Sequence, residues 1–167
     1  MILLETERLL FRKHEPSDEA AFVQMQMDPE FRRNVGGRVL PPDQAVQRFR
    51  SRYLRKPDGS FGLWATILKE ENTYIGYCGL AGDRAEPSLA YYIARPYWGR
   101  GLATEAARAF VDFGFAKLKL PRIVASAEKG HSASDRILEK LGFALEREEN
   151  VGTAARVICH YALSLRV

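Results

Sequence analysis

The residues best placed to do chemistry lie in one stretch, Tyr91-Tyr92-Ile93-Ala94-Arg95-Pro96-Tyr97-Trp98-Gly99-Arg100-Gly101-Leu102-Ala103-Thr104-Glu105-Ala106. An aromatic, strand-like run gives way to a glycine-rich turn and then to a helical repeat. The first N–H groups of a helix have no intrahelical partner, and the aligned peptide dipoles add partial positive charge there. Glycines let a ligand come close to the backbone, so such a turn suits a phosphate or pyrophosphate. The same spacing also suits a plain strand-to-helix connection in which the glycines serve only geometry. A triphosphate-binding loop needs GxxxxGK[ST], and no Lys-Ser/Thr pair follows Gly101. A dinucleotide fingerprint fits poorly: Thr104 stands in the third glycine position and Pro96-Tyr97-Trp98 separates the turn from its strand. Glu128, near the distance of a ribose-binding acid, is the one residue in its favour.

Other reactive side chains are sparse. The chain has three histidines and two cysteines. His14 and His160 have no metal-ligand spacing and read as structural. His131 precedes a short helical run, and an imidazole of pKa ~6.5 there could be a base, a proton relay or a helix cap. Cys78 and Cys159 sit among apolar neighbours, with no CxxC, and read as buried thiols in a reducing compartment. Glu86 reads as a turn residue before a strand, with a base as the other reading. Tyr91, Tyr92, Tyr97 and Trp98 could line a tunnel or fill a core.

These groups have to be positioned by 167 residues, a length suited to one domain over 1–167. Twenty-five Lys plus Arg against 21 Asp plus Glu leave +4, a weak field for nucleic acid. The local excess at Arg32, Arg33, Arg38, Arg48, Arg50, Arg52, Arg55 and Lys56 reads as a solvated helix face. No run approaches the ~18 apolar residues of a membrane span, and the N-terminus lacks a basic start with an apolar run. The expectation is a soluble, cytoplasmic protein.

The periodicities predict a first strand at Arg8–Arg12 and a helix from Pro16-Ser17-Asp18 to Asp28-Pro29. A second helix runs from Pro41 to about Arg55 and is stopped by Pro57-Asp58-Gly59. Strands follow at Leu63–Leu68, Tyr74–Leu80 and Ser88–Ile93. Next come a helix carrying Leu102, Ala106, Phe110 and Phe113 on one face, a strand at Arg122–Ala127 and a helix at Ser132–Lys140 closed by Gly142. Two final strands lie at Leu145–Glu149 and Arg156–Leu165. The order is α+β, with a mostly antiparallel sheet flanked by helices.

Several motifs resemble one family. Trp98 to Ala106 looks like the YWGKGxATEA form of the coenzyme A turn in the GNAT superfamily of N-acetyltransferases. Leu4-Glu5-Thr6-Glu7-Arg8-Leu9-Leu10-Phe11-Arg12 is similar to the L-x-T-x-R-L-x-L-R opening of its Rim-type branch, named after ribosomal-protein-alanine N-acetyltransferases. Ile75-Gly76 with Gly79-Leu80 resembles that branch's I-G-x-x-G-L strand, and Ser134 to Phe143 its S-x-x-V-L-E-K-L-G-F helix.

The resemblance implies a GNAT-like mixed sheet with two splayed strands, acetyl-CoA as cosubstrate and no metal. It places the pyrophosphate on Trp98, Gly99, Arg100, Gly101, Leu102, Ala103 and Thr104, and the pantetheine arm beside Tyr92, Ile93 and Ala94. It makes Ser134 a candidate proton donor to the thiolate, with His131 beside it in place of the family's Asn. Ser134 as a helix-start serine bonded to backbone is an equal reading. Two departures stand out: Ser88 occupies the strand position where many relatives carry Glu, and Leu138 the position of other branches' tyrosine acid. Glu105 reads as compensation of the helix dipole. The acceptor is expected to be a primary amine, either a protein N-terminus or a small molecule, and the protein a monomer or homodimer. A non-catalytic acyl-CoA-binding module and a basic ribosome- or RNA-associated protein are the competing readings. Membranes and nucleic acid are not expected partners.

Overall fold

A computed structural model describes residues 1–54, 59–153 and 155–165. The chain opens with a hairpin, β1 (Ile2–Glu5) and β2 (Leu9–Arg12). The sequence pattern gave only the second of these, because β1 is a short edge strand with its ends exposed and no apolar alternation. The turn between them is closed by Thr6, whose N–H donates to the Leu9 carbonyl at 2.8 Å.

The first helix ends beside Asp28-Pro29 as expected, but it opens with a separate turn and is followed by a short helix that the spacing did not indicate. Pro16–Asp18 forms one 3-10 turn, α1 covers Glu19–Met27 and α2 covers Pro29–Arg33. Pro29 forces the break between α1 and α2: the residue before a proline is pushed out of the helical region, and Asp28 sits at φ −79, ψ 117. Its carboxylate then caps α2 by accepting from the Glu30 N–H at 3.0 Å. α3 (Pro42–Arg48) is shorter than expected and continues as a π turn over Phe49–Tyr53. The predicted end near Arg55 and the turn at Pro57-Asp58 fall outside the described residues.

The rest follows the expected order: β3 (Gly62–Leu68), β4 (Thr73–Ala81), β5 (Ser88–Ile93), α4 (Leu102–Ala116), β6 (Arg122–Glu128), α5 (Ser132–Leu141), β7 (Ala144–Val151) and β8 (Arg156–Ser164). The eight strands form one sheet in the order β1-β2-β3-β4-β5-β6-β8-β7. Every neighbouring pair is antiparallel except β5 and β6, which are parallel and register only at Ser88 and Val124.

Alternation along the strands feeds two cores. Leu9, Phe11, Trp64, Ile75, Cys78, Leu80, Leu89 and Ile93 pack on one face beneath α4 and α5. Ala65, Ile67, Tyr74 and Tyr77 pack on the other face with Phe22, Met25, Phe31 and Phe49 of the N-terminal helices. Both cysteines are buried free thiols. Arg33, Arg38, Arg50 and Arg52 of the basic segment are exposed as expected, but Arg32 is buried, its Nε donating to the Arg38 carbonyl at 2.6 Å and its Nη1 to Gln26 at 3.0 Å.

His14 is buried in the second core, with its Nε2 3.1 Å from the Leu63 carbonyl and its Nδ1 without a partner among the described residues. Phe49, Tyr53, Tyr74 and Tyr77 surround the ring. Burial pushes its pKa down to about 4 against the opposing pull of Asp18. Folded His14 therefore stays neutral while the unfolded chain gains a proton below ~6.5. Its contribution is complete above pH ~6.5 and is lost as pH falls toward 4, about 3 kcal/mol in all. His14→Phe is expected to flatten the fall of Tm between pH 6.5 and 4; a thermal-denaturation series with an unchanged slope would place the acid sensitivity elsewhere.

Candidate active site

The single registered pair between β5 and β6 creates the site. The Val124 N–H donates to the Pro87 carbonyl at 3.0 Å, and beyond that point the strands part. The crevice has a volume of about 430 Å³ and is walled by Leu89 to Ile93 on one side and Ala125 to Ala127 on the other. It runs from the start of α4 to Phe31, Asn34 and Val35 at the end of α2.

Which backbone groups face this crevice follows from the ladder with β4. Ala94 donates its N–H to the Ile75 carbonyl at 2.8 Å, and Tyr92 pairs with Tyr77. Antiparallel pairing turns alternate residues to opposite edges of the strand. The amides of Tyr92 and Ala94 therefore face β4, and those of Tyr91 and Ile93 face the crevice. Trp98 occupies one of the latter: its indole N–H donates to the Ile93 carbonyl at 2.7 Å. The motif glycines of β4 permit this close stacking of strands. A Cβ on Gly76 would lie 2.0 Å from the Tyr92 carbonyl oxygen, and one on Gly79 would lie 1.9 Å from the Gly62 carbonyl oxygen.

At the other mouth, Gly99 and Gly101 take left-handed conformations at φ 75 and 74, and Gly101 is the N-cap of α4. The first intrahelical bond is Glu105 N–H to the Gly101 carbonyl, so the preceding N–H groups point out of the helix start. The turn is braced by the N-terminal hairpin. Glu105 accepts from the Thr6 hydroxyl at 2.6 Å, the Arg8 N–H at 3.0 Å and the Arg8 Nε at 2.6 Å. Arg8 Nη1 also donates to the Arg100 carbonyl at 2.9 Å. Thr6 and Arg8 hold the Glu105 carboxyl below its usual range despite partial burial, which pulls the other way. Glu105 thus does more than offset the helix dipole: it ties the first turn of α4 to residues nearly one hundred positions away.

α5 closes the far wall. Ser134 is buried, and its hydroxyl shares a 2.9 Å hydrogen bond with the Tyr91 hydroxyl. Burial pushes the Tyr91 phenol up to about 12, so it stays protonated at neutral pH. His131 stands at the N-cap of α5 without making a side-chain cap bond, and burial lowers its pKa against the pull of Asp135 and Glu128. The cap expectation for this ring is therefore corrected: it lines the crevice as a neutral imidazole. The Asp135 carboxylate accepts instead from the Tyr161 hydroxyl at 2.8 Å, fixing the first turn of α5 to β8.

A GNAT acetyltransferase domain model matches residues 8–144 of this sequence. The chain belongs to the GNAT acetyltransferase family. An uncharacterised N-acetyltransferase of Bacillus licheniformis, p20, is 31% identical over 153 residues, covering 87% of this chain and 84% of the relative. A GNAT-family acetyltransferase structure from Bacillus anthracis superposes with a TM-score of 0.84 at 24% identity, covering 98% of each chain. RimL, a ribosomal L7/L12 α-N-protein acetyltransferase solved with coenzyme A, superposes with a TM-score of 0.83 at 14% identity, covering 99% of this chain and 98% of that one. This GNAT protein is an acetyltransferase, and its acetyl donor is acetyl-CoA.

The crevice of this GNAT chain brings together Tyr92, Ile93, Trp98, Gly99, Gly101, Leu102, Ala103, Thr104, His131 and Ser134. Ala94 and Arg100 lie off its lining: the Ala94 amide belongs to the β4 ladder, and the Arg100 side chain stacks over the Tyr97 ring, 4.0 Å from Glu71. Missed were the pairing of Tyr91, read only as a possible tunnel residue, with Ser134, and the brace of Thr6 and Arg8. Tyr91 was within reach of the strand alternation, which puts residues 89, 91 and 93 on the α4 face. The brace was not, because neither short motif names its partner.

Arg8 bonds the turn carbonyl and would lie 3.6 Å from a Cβ on Gly101. Charge-assisted hydrogen bonds contribute roughly 1.5–3 kcal/mol. Arg8→Ala is therefore expected to weaken coenzyme A binding roughly tenfold, measured by titration calorimetry, with kcat changed by less than about twofold. Undiminished affinity would reduce the brace to a folding contact.

Proposed function

We propose that this GNAT acetyltransferase moves the acetyl group of acetyl-CoA onto a primary amine, a protein N-terminus or a small molecule, by direct attack through a tetrahedral intermediate. The observation that carries this reading is the crevice itself, open from the amide-rich start of α4 to the α2 side of the sheet. The amides from Gly99 to Thr104 would take the diphosphate, and those of Tyr91 and Ile93 the pantetheine arm. A carbonyl oxygen that gains charge in the tetrahedral intermediate is stabilised by preorganised N–H donors, and crevice-facing amides supply that chemistry.

Ser134 and Tyr91 form the proton-donating pair. The departing thiolate takes a proton from the Ser134 hydroxyl, which regains one from the nitrogen of the collapsing intermediate, while the Tyr91 phenol, held protonated by burial, orients that hydroxyl through their 2.9 Å bond. An α-amine has pKa ~7.7–8.0 against ~10.4 for Lys, so an N-terminal acceptor reaches its neutral form more readily. RimL, by its description, acts on such an α-amine of a ribosomal protein. Against an RNA-associated role, the basic segment offers no continuous free patch among the described residues: Arg33 pairs with Glu30 at 2.7 Å, Arg50 with Glu19 at 2.6 Å, and Arg32 is buried.

Consumption of acetyl-CoA with a panel of peptide amides and alkylamines tests the reading. Thermal stabilisation by acetyl-CoA without turnover of any amine would favour a binding module. Gly101→Glu is expected to abolish coenzyme binding, since the left-handed backbone disfavours a side chain and the new carboxylate would repel a diphosphate; retained affinity would remove the turn from the site. Ser134→Ala is expected to lower kcat by roughly 10²-fold with coenzyme affinity unchanged, and wild-type turnover would leave Ser134 a structural residue.

A further inference from the structure

No carboxylate lines the crevice, and Ser88 stands where a strand-borne Glu would be, so proton removal from the acceptor has to come from elsewhere. Next to the crevice, on the sheet face away from α4 and α5, lies a polar hollow of about 340 Å³ lined in part by Glu86, Ser88, Arg122, Ser126, Arg147 and His160. Ser126 and Ala125 belong to both spaces. His160 on β8 is the registered cross-strand partner of Ser126 on β6. Directly opposed residues hold their Cβ atoms roughly 5 Å apart on one face, which places the imidazole one side chain from the crevice wall.

Resting on the acetyltransfer reading above, we propose that His160, oriented by Glu149, is the proton acceptor for the incoming amine, and that the amine enters through this hollow. His160 Nε2 lies 2.8 Å from Glu149 Oε2. A carboxylate can only accept, so the ring proton sits on Nε2 and Nδ1 carries the free lone pair. Among the described residues, Nδ1 has no hydrogen-bond partner. The other charged groups that face the ring are already engaged. Arg147 on β7 pairs with Glu149 at 3.3 Å. Arg122 on β6 binds Glu86, from the loop before β5, at 2.8 Å and Glu146 of β7 at 2.6 Å. Arg122 thus holds both acids, Glu146 through both oxygens and Glu86 through one, while Nδ1 of the imidazole is left unengaged.

The balance is straightforward. The acceptor arrives as an ammonium; Nδ1 of His160 takes one of its protons and later releases it to water. The freed lone pair forms the C–N bond to the acetyl carbon, the C–S bond breaks, and the second N–H proton ends on the departing sulfur, relayed by Ser134.

The test is the pH dependence of kcat/KM for wild type, His160→Gln and Glu149→Gln, with acetyl-CoA and a panel of peptide amides and alkylamines as probes. His160→Gln should lower kcat/KM at pH 7 by roughly 10²-fold and erase the acid limb of the wild-type profile, with Tm and coenzyme A affinity unchanged. Glu149→Gln should lower kcat/KM at pH 7 while keeping the limb, because the ring loses the partner that orients it. A structural role for His160 would shift Tm and leave the limb in place, which would overturn the proposal. A wild type that acetylates no amine in the panel would overturn the acetyltransfer reading and His160's role with it, whereas an active wild type with an unchanged limb in His160→Gln would overturn His160 alone.

Discussion

The site depends on a parallel strand pair that stops almost as soon as it begins. β5 and β6 share one registered pair, Ser88 with Val124. Two strands pulled apart would ordinarily leave backbone groups unsatisfied, a cost of several kcal/mol for each pair buried away from water. The arrangement survives because each wall is fully laddered on its outer edge, β5 to β4 and β6 to β8. Trp98 quenches the Ile93 carbonyl, and Tyr91 bridges the gap to Ser134. What is left open is a short row of amides at Tyr91 and Ile93, and such amides are what a thioester arm with its own amide bonds can satisfy.

The start of α4 shows how a local sequence signal acquires its strength from afar. A glycine turn before a helix is a weak anion site by itself, exposed and screened by salt. Here the Glu105 carboxylate sits in the first turn, where it favours the helix but would repel a bound diphosphate. Thr6 and Arg8 resolve that conflict: three donors converge on Glu105, while Arg8 also grasps the Arg100 carbonyl. The guanidinium replaces the lost positive field and fixes the turn in its left-handed geometry. The T-x-R of the opening hairpin and the A-T-E-A of the helix are thus two halves of one device, joined where the β1–β2 turn meets the first turn of α4.

Strand and helix periodicity made most of the fold readable, since alternation from Leu63 to Ile93 and the apolar stripe of α4 are strong signals for long elements. β1 escaped because an exposed edge strand has no buried face to impose a pattern, and α2 because five residues are too few to show a helical period. In the site, the glycine turn and Ser134 were readable as motifs. The stretch Tyr92 to Ala94 was readable as one wall, but which of its amides turn toward the crevice depends on the register with β4, which no single strand reveals. His160 could not be read at all: its meaning lies in Ser126 across one ladder and Glu149 across the next, and no single segment contains either relation.

The sheet also separates two electrostatic tasks that would interfere on one surface. On the α4 side, helix-start amides and the guanidinium of Arg8 make a field suited to a polyanion. On the opposite face, Glu86, Glu146 and Glu149 interleave with Arg122, Arg147 and a neutral His160, a set with one carboxylate in excess, too little to hold an ammonium tightly by charge alone. An amine entering there has to become neutral to attack, and a field strongly negative enough to bind it as a cation would raise its pKa and oppose that step. Near-neutral surroundings with one unengaged imidazole nitrogen favour the neutral amine instead.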